Sequence, residues 1–155
     1  MSLLHQPFEQ PYRVLWPRQG RDLMAQKNYA EACPRLEESQ RLDPGGGTLL
    51  NLALCNESLG KTATAWSELN EAIAIAQRDG RRDREDLAQQ HAKALEPHLS
   101  RLVIEVPAEA AVSELVVTRD GSTVAKVAWG SAMPVDPGDH EISASAPGHV
   151  AWSKT

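Results

Sequence analysis

Gly60-Lys61-Thr62 is the first candidate for chemistry, because these three residues match the end of a phosphate-binding loop. Such a loop needs a further glycine at the position that Cys55 occupies here, and it follows a β-strand. The residues before Gly60 have a helical pattern instead. The sequence therefore favours a turn between two helices over a nucleotide site, and it predicts no cofactor.

Histidines are the second candidates, since imidazole is a common metal ligand. His91 and His98 lie two helical turns apart, whereas zinc sites on helices favour a spacing of about four residues with a carboxylate in reach. Pro97 also interrupts the helix between them. His140 and His149 each follow a Pro-Gly turn and are interpreted as turn residues. Without a Gly-x-Ser-x-Gly elbow or a Cys/His nucleophile arrangement, we predict no metal site and no catalytic residue.

The composition is typical of a globular protein. The 155 residues suffice for one domain or two small ones, and 41% of them are hydrophobic. Because the chain has only one Phe, two Tyr and four Trp, its core must consist mainly of Leu, Ala, Val and Ile. The net charge of −5 makes nucleic acid an unfavourable partner.

Targeting signals are absent from the sequence as written. No segment approaches the roughly 20 apolar residues that span a bilayer, so no integral membrane segment is predicted. Residues 1–19 lack the apolar region of a secretory signal. The expected location is therefore the cytoplasm, or the periplasm or cell envelope if the N-terminus is misassigned.

The periodicity of the sequence changes near Pro97–Leu102. Residues 1–12 have no helical period and are interpreted as an irregular leader. Residues 13–99 have the period of helices, and residues 101–155 alternate with the period of strands. The predicted fold class is α+β, with helical hairpins followed by a small antiparallel β-sandwich that is incomplete at its C-terminus.

The helical half resembles the tetratricopeptide repeat family. The resemblance rests on Asn28-Tyr29-Ala30-Glu31-Ala32 and Leu42-Asp43-Pro44, and it implies two helix–turn–helix repeats over 13–79. Gln19 and Ser39 depart from the usual pattern. A capping helix follows, with Leu87, Ala94, Leu95 and Leu99 as its apolar positions. The expected core positions are Trp16, Gly20, Leu23, Tyr29, Ala32, Leu36, Ser39, Leu49, Leu52, Ala53, Ala65, Leu69 and Ala72.

The resemblance also implies neighbours and a binding face. Cys33 and Cys55 would lie on adjacent helices, where they either form a disulfide or pack as two small buried side chains. Thr62 would cap the fourth helix. In this family the first helix of each repeat lines a concave groove, and the corresponding residues here are Arg18, Arg21, Met24, Asn51, Leu54 and Glu57.

Asn51 occupies the position at which one subgroup of the family holds a peptide C-terminus. Arg18 and Arg21 would add positive charge for a carboxylate. Glu57 opposes an anion, and basic positions on a third repeat are not evident. The sequence therefore favours a solvated helical face over a complete carboxylate clamp.

The C-terminal half resembles the PEGA family of small β-sandwich modules, over about 101–152. The resemblance rests on a hairpin and three turns, Arg119-Asp120-Gly121, Pro134-Val135, Pro137-Gly138-Asp139-His140-Glu141-Ile142 and Pro147-Gly148-His149. Val124 and Val127 are expected on the strand after the hairpin. The final strand is expected to be missing or short.

The combination is typical of bacterial interaction proteins. We therefore expect a non-enzymatic scaffold that binds an unknown protein or peptide partner on the concave helical face, in an unknown oligomeric state. The alternative is a cell-envelope adhesion module whose β half binds glycan or a surface-layer component. An exposed shelf of Trp129 and Trp152 would favour that alternative.

Overall fold

The computed structural model describes the backbone of residues 12–155 and the side chains of residues 16–155. The predicted leader, apart from Tyr12, lies outside the described residues. Helices precede strands, and the fold class is α+β as predicted. The chain divides into two compact units between His98 and Leu99, called here the helical unit and the β unit.

The helical unit contains five α-helices within the described residues. The helices are α1 (Tyr12–Ala25), α2 (Tyr29–Leu42), α3 (Gly46–Ser58), α4 (Thr62–Arg78) and α5 (Arg82–Leu95), and a short 3₁₀ turn follows at Glu96–His98. Each helix packs against the next one along the chain. In addition α1 contacts α3 and α3 contacts α5, so the odd-numbered helices form one layer.

Small side chains allow the helices to pack closely. The two hydrophobic clusters of this unit contain alanine and cysteine beside leucine, and their largest fully buried side chains are Leu36 and Leu69. Gly20 has the same effect, because a Cβ at this position would lie 2.6 Å from Leu36 Cγ. The expected core positions that are buried are Gly20, Ala32, Leu36, Ser39, Leu49, Leu52, Ala53, Ala65, Leu69 and Ala72.

Ala32→Leu tests this packing. Ala32 is fully buried on α2, so three added carbon atoms should overpack the cluster and lower the free energy of unfolding by about 1–3 kcal/mol. Ala30→Leu on the same helix is the control, because Ala30 is exposed and the change should stay within about 0.5 kcal/mol. Equal urea midpoints for the two variants would contradict the packing.

Two expectations for this unit are wrong. The buried face of α5 consists of Ala88, Ala92 and Leu95, whereas Leu87 and Ala94 are exposed. The small alanines face the core because α5 packs closely on α4. Thr62 does not cap α4, because it is the first helical residue and its buried hydroxyl has no hydrogen-bond partner. Lys61 occupies the N-cap position.

The β unit contains two antiparallel sheets. Its strands are β1 (Ser100–Val103), β2 (Val116–Arg119), β3 (Ser122–Thr123), β4 (Ala132–Val135), β5 (Ile142–Ser145) and β6 (Trp152–Lys154). One sheet has the order β1-β4 and the other β3-β2-β5-β6. Short 3₁₀ turns lie at Ala108–Ala110 and Lys126–Ala128. The core consists of Ile104, Val117 and Val124 with surrounding apolar side chains.

The predicted hairpin is confirmed. Arg119 pairs with Ser122 across Asp120 and Gly121, which both have positive φ, as a tight turn of this type requires. The return strand is shorter than predicted, since Val127 lies in a 3₁₀ turn and is 93% exposed.

One further prediction for this unit is wrong, and the prediction of a missing or short final strand is confirmed by a short one. Pro134 and Val135 belong to β4, which pairs with β1, and not to a turn. A proline is tolerated here because β4 has no second strand partner. The final strand exists as β6, although it is only three residues long.

A cationic cavity in the helical unit

A cavity of about 530 Å³ opens where the odd-numbered helices meet. Arg21 of α1 and Arg84 of α5 contribute their side chains to its wall. The first turns of α3 and the residue before it supply the rest, Gly45, Gly46, Gly47, Thr48, Leu50 and Asn51. The contacts of α3 with α1 and α5 therefore bring together residues that are far apart in sequence.

Gly47 lets the guanidinium of Arg84 approach the backbone of α3. A Cβ at position 47 would lie 3.1 Å from both Cζ and one terminal nitrogen of Arg84, which is tighter than an ordinary contact. A side chain at position 47 would therefore require this guanidinium to shift by a few tenths of an ångström. Gly47 thus has a structural role in the first turn of α3, beyond the flexible turn that the sequence suggests.

Positive potential dominates this cavity. The N-cap residue of α3 is Gly45, which has no side chain to accept a hydrogen bond from the first-turn amides. The partial positive charge of the helix N-terminus therefore adds to the charges of Arg21 and Arg84. No carboxylate lines the cavity, and neither arginine forms an ion pair with a residue that the structure describes. The arrangement can therefore hold an anionic oxygen group.

The six predicted groove residues separate into two groups. Arg21 and Asn51 line the cavity together. Arg18 is exposed and outside it, while Met24 and Leu54 pack against the hydrophobic clusters. Glu57 also lies outside the lining, where its Oε2 is 2.6 Å from Nδ1 of His91.

Arg84 is the lining residue that the sequence reasoning missed. The sequence pattern of the fifth helix indicates only a cap over the preceding helices, so it does not single out Arg84. The available signal was its basic side chain on the fifth helix, which contacts α3. Basic residues on such a helix are what a carboxylate site would need.

The candidate metal ligands do not converge. Across residues 16–155, no three His, Cys, Asp or Glu side chains lie where they could hold one metal ion. His91 pairs with Glu57, and His98 lies in the exposed 3₁₀ turn after α5. The hydrogen bond between His91 and Glu57 joins α5 to α3.

His140 of the β unit forms hydrogen bonds through both of its ring nitrogens. Nδ1 lies 2.7 Å from Asp120 Oδ2, and Nε2 lies 2.7 Å from the carbonyl oxygen of Asp136. Because both partners are acceptors, the ring can donate to both only as an imidazolium. The Asp120 carboxylate, and then the Asp136 carbonyl, raise the pKa of His140 above its usual 6.5. The bonds from His140 and from the Glu141 amide lower the pKa of Asp120.

These pKa shifts predict a pH-dependent stability. The His140 contribution is complete below its unfolded pKa of about 6.5 and is lost as the pH rises through the raised folded value. The Asp120 contribution is complete above about 3.9 and is lost as the pH falls through the lowered value. The pair should therefore stabilise the β unit most between about pH 4 and pH 6.5.

Calorimetric melting of the full chain between pH 6 and pH 9 checks this prediction. The difference in melting temperature between wild type and His140→Gln should shrink as the pH rises. His149→Gln is the control, because His149 is exposed on another turn, and its profile should follow the wild type. A difference for His140→Gln that stays constant with pH would contradict the assignment.

Cys33 of α2 and Cys55 of α3 form a disulfide. Their sulfur atoms are 2.12 Å apart and their Cα atoms 5.6 Å apart, and the two residues are 22 positions apart in sequence. Both residues are buried in the cluster that also contains Ala32, Leu36 and Leu52. The bond therefore ties the first helical pair to the second, beside the layer that bears the cavity.

The tryptophans of the β unit lie in different environments. Trp129 is partly buried against the core, and its Nε1 donates to the carbonyl oxygen of Val124 at 3.3 Å. Lys126 lies over the Trp129 ring, 5.8 Å from its centre. Trp152 is 52% exposed. Of the two tryptophans expected to form an exposed aromatic shelf, only Trp152 has a largely exposed ring.

No helix in the described part of the chain is both long and apolar enough to cross a membrane. Comparisons of the chain with protein-family models, with curated proteins and with solved structures find no match.

Proposed function

We propose that this protein is a non-enzymatic interaction protein whose helical unit binds a carboxylate-bearing segment of a partner protein. The observation that carries the proposal is the pair of arginines, Arg21 and Arg84, that face an uncapped helix N-terminus without a carboxylate among the lining residues. Asn51 adds a side-chain amide that can donate to the same group. A peptide C-terminus supplies two carboxylate oxygens for these donors.

The dimensions of the site agree with recognition of a peptide end. The cavity volume of about 530 Å³ lies within the range of roughly 300–1,000 Å³ that ligand sites occupy. The volume suits a terminal residue and part of the one before it better than a whole folded domain. Further affinity would come from side chains of α1, α3 and α5 at the rim of the cavity.

Membership of the tetratricopeptide repeat family is part of this proposal. It is supported by burial of the small and large residues at the expected positions and by the contacts among the odd-numbered helices. On this proposal α5 is the first helix of a partial third repeat. A PEGA-like identity for the β unit is proposed on the same terms, supported by the Asp120-Gly121 hairpin and the antiparallel pairing of β2 with β5.

The disulfide supports an oxidising location. Disulfides persist mainly in secreted, periplasmic or surface proteins, because cytosolic reductants keep thiols reduced. We therefore propose a compartment such as the periplasm or cell envelope. Counting free thiols in protein isolated from its native cells tests this point. No free thiol is expected, and two would contradict it.

A peptide selection tests the binding proposal. The full chain is exposed to bead-bound libraries of eight-residue peptides, attached by their N-termini, with either a free or an amidated C-terminus. The free-acid library should yield enriched sequences that the amidated library lacks, since the amide removes the charge that both arginines recognise. Equal enrichment from both libraries would contradict carboxylate recognition.

A further inference from the structure

The surface where α3 and α5 meet, called here the α3–α5 surface, changes in charge along its length. At one end Arg84 lies against Gly47, and further along both helices Glu57 of α3 forms a hydrogen bond with His91 of α5. The two helices therefore run side by side in the same direction. The α3–α5 surface thus begins at the cationic cavity and ends at a carboxylate.

The middle of the α3–α5 surface is apolar. Leu54 lies one helical turn before Glu57 and is partly buried against the hydrophobic cluster. Leu87 lies between Arg84 and His91 at spacings of three and four positions, which places these three residues on one side of α5. Since Leu87 is 38% exposed, its side chain is accessible for contact with a ligand.

The Glu57–His91 pair presents hydrogen-bond acceptors to solvent. Because a carboxylate oxygen only accepts, the 2.6 Å bond between Oε2 of Glu57 and Nδ1 of His91 requires the proton on Nδ1. In the neutral imidazole Nε2 is then an acceptor, as is Oε1 of Glu57, and neither atom has a hydrogen-bond partner within residues 16–155. The Glu57 and His91 side chains are 25% and 33% exposed, so a ligand can reach them.

We propose that the α3–α5 surface selects a peptide with a lysine or arginine about three to five positions before its C-terminal residue. This inference rests on the proposed carboxylate site and adds a second contact to it. Glu57 lies about six to ten residues beyond Asn51 and Gly47 on α3, which is roughly 9–15 Å at about 1.5 Å per residue. An extended peptide covers that distance with about three to five residues at ~3.3 Å each.

A basic residue complements the Glu57–His91 end better than an acidic or an apolar one. An acidic side chain would meet the Glu57 carboxylate with the same charge, and an apolar one would cover two acceptors without donating to them. An ammonium or guanidinium group can donate to both acceptors. Glu57 is therefore too far along α3 to oppose the bound anion, and it suits a peptide whose two ends carry opposite charges.

A lysine scan tests the proposal with the full chain at about pH 8, where free imidazole is neutral. The template is a free-acid peptide enriched from the library, with any lysine or arginine replaced by norleucine, and one lysine is then placed at each position in turn. Affinity, measured by fluorescence anisotropy, should rise at least about fivefold when the lysine lies about three to five positions before the C-terminal residue. A flat profile, or a maximum next to the C-terminus, would overturn the proposal.

Glu57→Gln distinguishes recognition of charge from a structural role of the same side chain. Glutamine keeps the size and an oxygen that can accept from His91, but it removes the negative charge. The advantage of the best lysine peptide over the lysine-free peptide should fall below about twofold, while the affinity for the lysine-free peptide stays within about twofold of wild type.

Glu71→Gln is the matched control. It removes the same charge from the same unit, but Glu71 is exposed on α4, outside the layer of odd-numbered helices. The advantage of the lysine peptide should persist in this variant. An equal loss of that advantage in the two variants would assign the effect to net charge and overturn the role of Glu57.

The lysine-free peptide separates failure of this inference from failure of the proposed function. If its free acid binds more tightly than its amide and lysine adds nothing at any position, the carboxylate site is retained and the selection of a basic residue is wrong. If the acid and the amide bind equally, or neither binds, the carboxylate site is wrong and this inference is overturned with it.

Discussion

The double variant Arg21→Gln/Arg84→Gln should bind the selected free-acid peptide at least about a hundredfold more weakly than wild type, a loss of about 3 kcal/mol. Each hydrogen bond to a charged group contributes about 1.5–3 kcal/mol, and the variant removes the charged donors on both sides of the cavity. Isothermal titration calorimetry of the full chain measures the effect. The fold should be unaffected, since neither arginine forms an ion pair with a described residue.

Arg18→Gln/Arg82→Gln is the matched control for that experiment. It removes the same charge from the same two helices, α1 and α5, but both arginines are exposed and outside the cavity lining. We expect its affinity to fall less than about fivefold, through weaker long-range attraction alone. Equal losses in the two double variants would mean that net charge, and not the cavity, determines binding.

Removal of the disulfide should cause the largest loss of stability. Cys33→Ala/Cys55→Ala should lower the free energy of unfolding of the helical unit by about 3 kcal/mol, because the bond closes a loop between positions separated by 22. The variant keeps small apolar side chains at both buried positions, so the packing of α2 on α3 changes little. Urea unfolding of the oxidised proteins gives the difference.

The same pair of proteins in a strong reductant provides the control. With the bond reduced in the wild type, the two stabilities should agree within about 1 kcal/mol, which is the scale of the remaining packing difference. Equal stabilities of the two proteins without reductant would contradict a bond between Cys33 and Cys55.

Features set by local sequence were the easiest to predict. The spacing of Ala32 and Leu36, or of Ala65 and Leu69, places these residues on one helical face, and a helix must bury that face. The Asp120-Gly121 turn was equally easy to predict from the sequence, because few residue pairs accept positive φ at both positions. Such features need no knowledge of the rest of the chain.

Features set by long-range packing were predicted poorly. The face of α5 differs because the close approach of α4 favours Ala88 and Ala92 over the larger Leu87. Pro134 belongs to a strand because of its pairing with Arg101, about 30 positions earlier, which no local pattern indicates. The cavity is the extreme case, since Arg21, Asn51 and Arg84 converge only through contacts between three helices.

Chemical-shift mapping of the full chain with the selected free-acid peptide tests the central claim most directly. The account predicts that the largest amide shifts occur at Gly46, Gly47 and Asn51, together with side-chain shifts at Arg21 and Arg84. The amidated peptide at the same concentration should leave these signals in place. Shifts that avoid the start of α3, or that are equal for the acid and the amide, would contradict a carboxylate site in this cavity.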